Sequence, residues 1–306
     1  MTDISPELLE KINQTIDEEL TSNKILKDLL RKIRDGTATY EDADRFAVEI
    51  GEILSKAFGK HITTSILPDG RMYWNIGKAV IEPTMLRGNE ILAEYCKRVQ
   101  SLMNQAEGIG FEPVVPGVNQ SRIDGILNRL DHAESYDDVH FLLDDSAYMQ
   151  NFLESAVNDF VVQNADLMYN SGFNPKIIRI YHGGKDHCDY CANLAGTYDY
   201  PCSREIYVRH RDCHCTVMYK VGEFSQDAHT KNIYQDGRRM KAIDLMSANQ
   251  SKLTPKQARL VEKGISQEQN REFKQTKARL IREEMERTGA NHRTASIRVT
   301  RRNNNR

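Results

Sequence analysis

Long apolar runs are missing from this chain. No stretch approaches the ~20 residues a membrane-spanning helix needs, and the first residues lack the apolar core of a secretory signal. The expectation is a chain made and kept in cytosol, where reduced thiols favour metal ligation over a disulfide framework. An excess of charge of one sign is missing too. The 42 Lys and Arg against 44 Asp and Glu leave a net charge of −2, which excludes a global electrostatic pull toward nucleic acid. There is no G-x-S-x-G elbow and no phosphate-cradling glycine loop, so serine-nucleophile and nucleotide chemistry have no motif to rest on. Apolar residues are scarce at 39%, charged ones make up 28%, and mean hydropathy is −0.62. At 306 residues this predicts one large or two ordinary domains, soluble and largely helical, with a modest core for the length.

What is present falls into zones. Over residues 5–58 the apolar spacing predicts three helices. Ser5-Pro6 reads as a helix start, with Leu9, Ile12, Ile16 and Leu20 at three- and four-residue steps. A second helix follows Ser22, carries Ile25, Leu26, Leu29, Leu30 and Ile33, and ends at Gly36. Thr39 and Asp42 match a capping box for a third. The β-branched run His61–Leu67, the turn Pro68-Asp69-Gly70 and Met72–Ile76 read as a small hairpin. Residues 84–106 look helical, Gly108–Gly117 a loop, Ser121–Leu130 and Tyr136–Leu143 short helices, and Ser146–Asn170 a long one. Then strands are expected at Lys176–Tyr181 and Cys215–Val221, with Ala195–Tyr198 as a turn between them. Beyond Val221 the chain turns polar, with an exposed turn at Asp236-Gly237-Arg238-Arg239 and charged helices near 254–264 and 266–287. Gly289–Arg306 has five arginines, no acid and three consecutive asparagines, and reads as a disordered basic tail that can touch DNA or an acidic surface. The fold class expected is therefore α+β. It comprises a helical domain at 1–175, a small Cys/His-rich β module at 176–222, a polar linker with charged helices at 223–288, and the tail at 289–306.

Four of the six cysteines fall in two short runs, His187-Cys188-Asp189-Tyr190-Cys191 and His210-Arg211-Asp212-Cys213-His214-Cys215. A Cys-x-x-Cys followed about twenty residues later by a second Cys/His pair is metal-site spacing. A two-residue gap lets one tight turn place two thiolates on the same ion, and the loop returns the other two donors. The candidate ligands are Cys188, Cys191, His210, Cys213 and Cys215. Either His210 joins one of the two later cysteines, or Cys213 and Cys215 act together; on a strand both would face one way and His214 the other. Zn²⁺ is the expected ion, in a structural role. The alternative is a set of buried or free thiols. Cys96 reads as a small buried hydrophobe, and Cys202 as a spare donor at most.

The run from Tyr181-His182-Gly183-Gly184 through Cys188, Cys191 and Ala195-Gly196-Thr197-Tyr198 to Arg209-His210-Arg211-Asp212-Cys213-His214-Cys215-Thr216-Val217 and Tyr219 resembles a specific module. It is similar to the C-terminal module of tailed-bacteriophage minor capsid, or head morphogenesis, proteins of the Mu F-like group. The resemblance covers roughly residues 176–240 and adds no motif in the helical front part. It departs from the family pattern in having Arg211-Asp212 between His210 and Cys213, and no Trp after the last strand. The resemblance implies a non-enzymatic virion protein of the head interior or portal region, made in the bacterial host cytoplasm. It would act in head assembly, DNA packaging or DNA ejection, with portal or major capsid protein as partner and packaged DNA as a possible contact of the tail. No small-molecule substrate and no membrane span are expected.

Enzyme readings fare worse. His132-Ala133-Glu134 spells the H-x-E of zinc nucleobase deaminases, but the Cys-x-x-Cys lacks its preceding proline. The surplus of donors would also close the coordination sphere against water. A Cys188–His210 hydrolase and a redox Cys-x-x-Cys lack the surrounding motifs or the βαβ context. The other reading of a different class is a zinc-binding regulator that contacts nucleic acid. Against it, few basic side chains lie in 183–215 and no recognition helix follows.

Overall fold

The computed structural model describes residues 3–107, 109–183, 188–210, 213, 215–221, 224–226, 233–235, 238–239 and 287. Its front part is helical throughout. Helix α1 (Ser5–Ser22) has Ser5 at its first position and the proline at the second, with Ile4 as cap, one residue earlier than the Ser5-Pro6 reading. Helix α2 (Lys24–Arg34) is capped by Asn23, whose side chain accepts from the Leu26 amide. Gly36 follows with φ at +70°, a left-handed exit that suits glycine. Helix α3 (Tyr40–His61) carries the expected capping box between Thr39 and Asp42.

The hairpin expected at residues 61–76 is not formed. Helix α3 runs on to His61, Pro68–Gly70 makes a single 3₁₀ turn, and α4 (Trp74–Ala106) begins where the returning strand was placed. Two short β-branched runs cannot make a stable sheet by themselves in water. Here Ile62, Leu67 and Met72 are buried instead, packing the turn onto the helices. Helix α4 also passes through Pro83. The proline withdraws one N–H from the helical ladder, at a cost of about 3 kcal/mol in an exposed helix. Burial of Val80, Ile81, Thr84 and Met85 around it offsets that cost, and the sequence alone shows only the breaker.

Helix α5 (Gln120–His132), the short α6 (Phe141–Asp144) and α7 (Ser146–Asn170) complete the bundle. The centre is α3, which packs on α7, α4 and α1. The α3–α7 approach is close. A Cβ on Gly51 would stand 2.6 Å from the Gln150 backbone nitrogen, so no larger residue fits without moving a helix. The irregular segment before α5 is tied to α7 by Asn164, which donates to the Val114 carbonyl and accepts from its amide, both at 2.9 Å.

A three-stranded antiparallel sheet follows, in the order β2–β1–β3, made of β1 (Lys176–Ile180), β2 (Gly196–Asp199) and β3 (Thr216–Lys220), with the short helix α8 (Asp189–Asn193) between β1 and β2. A turn was expected at Ala195–Tyr198; Gly196–Asp199 is an edge strand paired with β1 from Lys176↔Asp199 to Arg179↔Gly196. In the β1–β3 register Ile177 faces Tyr219 and Arg179 faces Val217. All four are buried, and β3 packs on α3 and α7. Tyr219 sits at the join. Its hydroxyl accepts from Gln100 of α4, which in turn accepts from the Tyr40 hydroxyl of α3 and donates to Asn104.

Contacts divide the chain into two compact units, one made of Met1–Asn170 with Asn174–Gly222, the other of Ser171–Phe173 with Glu223–Arg306. The first therefore takes in both the helices and the Cys/His-rich module. In the second, strands β4 (Phe224–Gln226), β5 (Ile233–Gln235) and β6 (Arg238–Arg239) form a small antiparallel sheet where a polar linker and an exposed turn were expected. The helices expected near 254–264 and 266–287, and the basic tail, lie outside the described residues except Arg287, which is helical. Among the described residues the fold is α+β and mostly helical, and no helix is long and apolar enough to cross a membrane.

Candidate metal centre

Two tight turns build the cluster, one on each connection of the small sheet. The first lies between β1 and β2. Cys188 caps α8, its sulfur accepting from the Cys191 amide at 3.4 Å while its carbonyl accepts from the Ala192 amide at 2.9 Å. That single turn puts both sulfurs of the Cys-x-x-Cys on one side. The second lies between β2 and β3, where the Cys213 amide donates to the His210 carbonyl at 3.2 Å. The two cysteine-bearing turns meet. His210 Nε2 lies 3.2 Å from Cys188 Sγ and 3.0 Å from Cys191 Sγ, and Cys191 Sγ is 3.6 Å from Cys213 Sγ.

The donor atoms of Cys188, Cys191 and His210 lie within 4.8 Å of one another, and so do those of Cys191, Cys213 and Cys215. Cys191 belongs to both triads. Two thiolates on one tetrahedral zinc stand about 3.8 Å apart, and a thiolate and an imidazole nitrogen about 3.5 Å. The observed separations need only a few tenths of an ångström of expansion. The five predicted donors fall into these two triads, which meet at Cys191, and either triad could hold a metal ion. Cys202 stands apart, 3.1 Å from the Tyr207 hydroxyl. Cys96 is fully buried among the helices. His132 bonds the Asn128 carbonyl at the end of α5 and belongs to neither triad. His187 and His214 lie outside the described residues.

The interior of this module is made of sulfur. Cys191, Cys213 and Cys215 are its buried core, with Tyr181 and Cys188 packed against them; the Tyr181 hydroxyl accepts from the Cys188 amide at 3.0 Å. The thiols are not alike. The amide of Cys191 holds the Cys188 thiol below the usual range. Donation from Cys215 pulls Cys213 down to about 4, with Arg209 adding to the pull. Cys215, whose proton that bond uses, is held well above its ordinary value, and burial pushes Cys191 up. A low thiol value beside a high one is what a shared proton between adjacent sulfurs produces, and an ion would take that proton's place.

Residues outside the Cys/His pattern hold the second turn in place. Helix α7 presents Asn151, Glu154 and Asn158 on one face. Asn151 donates to the His210 carbonyl at 2.7 Å and Asn158 to the Tyr207 carbonyl at 2.9 Å. Arg209, almost fully buried, pairs with Glu154 at 3.1 Å and with Asp44 of α3 at 2.8 Å. It also donates to the Asn158 side chain and to the Cys213 carbonyl. Sequence reasoning missed these residues. A signal existed in polar side chains at three- and four-residue steps inside a helix whose other positions are apolar. Comparison of the chain with family models, curated proteins and solved structures returns no match.

The cluster can hold a metal ion. Its donors outnumber the four a tetrahedral site needs; Cys191, Cys213 and Cys215 are buried, and Cys188 and His210 are half-buried at its edge.

Proposed function

We propose that this chain is a phage minor capsid protein of the head morphogenesis kind, with a structural Zn²⁺ centre stapling its small β module. The observation that carries the reading is the convergence of Cys188, Cys191, His210, Cys213 and Cys215 on two turns of one small sheet. Those are the residues on which the resemblance to the Mu F-like minor head proteins rests. Three thiolates and one imidazole in a buried setting suit zinc over harder ions. The role that follows is scaffolding in the head interior or at the portal, with portal or major capsid protein as the partner. The chain acts without turnover of a small molecule. The basic tail adds a contact with packaged DNA, in a virion assembled in the bacterial cytoplasm.

Metal content and association test it together. Protein purified under reducing conditions should carry one zinc per chain by native mass spectrometry, and should copurify with portal or capsid protein from lysed particles. Stoichiometric zinc without that association, together with duplex DNA affinity that falls steeply with salt, would point to a nucleic-acid-binding regulator. Absence of zinc would remove the staple.

A further inference from the structure

Arg179 lies on the central strand β1 and is 1% exposed. Its guanidinium has two kinds of partner. One terminal nitrogen donates to the Ile206 carbonyl at 2.6 Å and the Val208 carbonyl at 3.0 Å. The other reaches Cys191 Sγ at 3.5 Å and Cys213 Sγ at 3.7 Å. Nε has no partner. Among the described residues no carboxylate pairs with it. Arg209, the other buried arginine of this region, has two.

A guanidinium does not lose its proton in a protein, and a buried charge with no counter-charge costs several kcal/mol. Carbonyl oxygens satisfy its hydrogens without cancelling its charge. Among the described residues, the groups touching Arg179 that can become anions are the two sulfurs. We propose that Arg179 is the built-in counter-charge of the metal centre: it fixes Cys191 and Cys213 as thiolate ligands beside Cys188 and His210, and leaves Cys215 as a fifth, non-ligating thiol.

Charge balance agrees. A divalent ion with three thiolates and a neutral imidazole carries one net negative charge, which one guanidinium cancels; a four-thiolate set would leave one charge over. The proposed set spans the two donor triads, which meet at Cys191. Arg179 is on the strand that both ligand-bearing connections leave or flank, so it faces both turns at once. Its carbonyl partners, Ile206 and Val208, lie on the segment leading into His210. One side chain therefore fixes the sulfurs electrostatically and the second turn sterically. Arg179 is a positioning residue, acting on the ion through its ligands. Such outer-sphere partners typically change metal affinity by about 10–100-fold.

The inference rests on the metal reading of the cluster, and the test separates the two. Full-length protein is compared as wild type, Arg179→Met, Arg179→Lys, Cys213→Ser and Cys215→Ser. Zinc affinity is measured by competition with a chromogenic chelator. Thiolate count is read from the sulfur-to-metal charge-transfer intensity after cobalt(II) substitution, and folding by circular dichroism. The expected result is a 10–100-fold loss of zinc affinity in Arg179→Met, with partial recovery in Arg179→Lys. Cys215→Ser should keep the full three-thiolate cobalt intensity, and Cys213→Ser should lose a third of it. If Arg179→Met does not fold, the lysine variant and the two cysteine variants still decide. Wild-type affinity in a folded Arg179→Met, or loss of thiolate intensity in Cys215→Ser with none in Cys213→Ser, would overturn the proposal. A wild-type protein that binds neither ion would instead overturn the metal reading itself.

Discussion

The helical body and the Cys/His-rich module solve the same problem in opposite ways. In the body, α3 is covered by α1, α4 and α7, and the buried side chains are overwhelmingly hydrocarbon: Ile12, Ile16, Ile50, Leu54, Phe58, Val80, Leu153, Val157. Burial of that kind is worth about 25 cal/mol per Å² of apolar surface and needs no further partner. In the module, the sheet's buried face ends in Arg179 and the space beside it is filled by cysteine sulfurs. A three-stranded sheet of four- and five-residue strands buries little apolar surface for itself. It compensates by docking Val217 and Tyr219 on the helices and by gathering donors for an ion. The body is held by area, the module by a few strong, specific bonds. A region of the second kind is lost when one bond is removed; a region of the first kind loses stability by degrees.

Removing the ion should separate the two most. Cys191 belongs to both donor triads, so Cys191→Ser, or a strong chelator on the wild type, should abolish metal binding. Amide protection over 176–180, 196–199 and 216–220 should then fall toward the unfolded level while α3 and α4 keep theirs, as read by hydrogen exchange. Structural zinc sites contribute about 10–16 kcal/mol in small zinc peptides, more than this sheet has other means to replace. Full protection in the apo protein would show that docking alone suffices.

The next largest effect concerns the join. Arg209→Met leaves Asp44 and Glu154 buried without their shared cation, a loss of about 3–5 kcal/mol by analogy with other broken buried pairs. Urea denaturation should show it as a lower midpoint. If the module is anchored chiefly here, its strands should lose protection before the helices do.

Within the body, Gly51→Ala forces a methyl group against the Gln150 backbone. The expected cost is about 1–3 kcal/mol from overpacking, spread over the whole bundle, with metal affinity unchanged.

A further expected effect is a slope with pH. Burial pushes the Asp44 carboxyl from 3.8 up to about 7, with Arg209 opposing the shift and Glu154 adding to it. The folded protein thus holds a proton on Asp44 that the unfolded chain gives up near 3.8. The stabilisation is fully present below about pH 4 and is lost as pH rises through about 7. One such group gives at most about 1.4 kcal/mol per pH unit. Asp44→Asn should flatten that part of the stability profile; an unchanged profile would assign the slope to other groups.

The body was more legible in the sequence than the module's surroundings, for physical reasons. Ser146–Asn170 was readable at both ends, and so were the Thr39–Asp42 capping box and Gly36, because helix signals are local. The five candidate donors were readable because ligand chemistry imposes spacing. The failures are non-local. Ile62-Thr63-Thr64 has strand composition, but what decides their conformation is whether a sheet is there to receive them. Gly196-Thr197-Tyr198 reads as a turn until its register against β1 is known. Arg179 stands among isoleucines where a charge suggests the solvent side; only the fold reveals sulfur opposite it. Arg209 looks like part of a basic motif and is a buried anchor. Which two of His210, Cys213 and Cys215 join the Cys-x-x-Cys was open in the sequence, and it is Arg179 that argues for His210 with Cys213.

The position of β1 at the centre of its sheet has a consequence for synthesis. The strand emerges early, but its neighbours arrive about 20 and 40 residues later, and the metal donors come on the two connections between them. Domains fold from the N-terminus as they leave the ribosome. The helices of the body end at Asn170, and Cys188 and Cys191 then wait for His210 and Cys213. On the proposed metal reading, ion capture would come only after all the donors have emerged. On that reading, supply of the ion would govern how many copies complete the module.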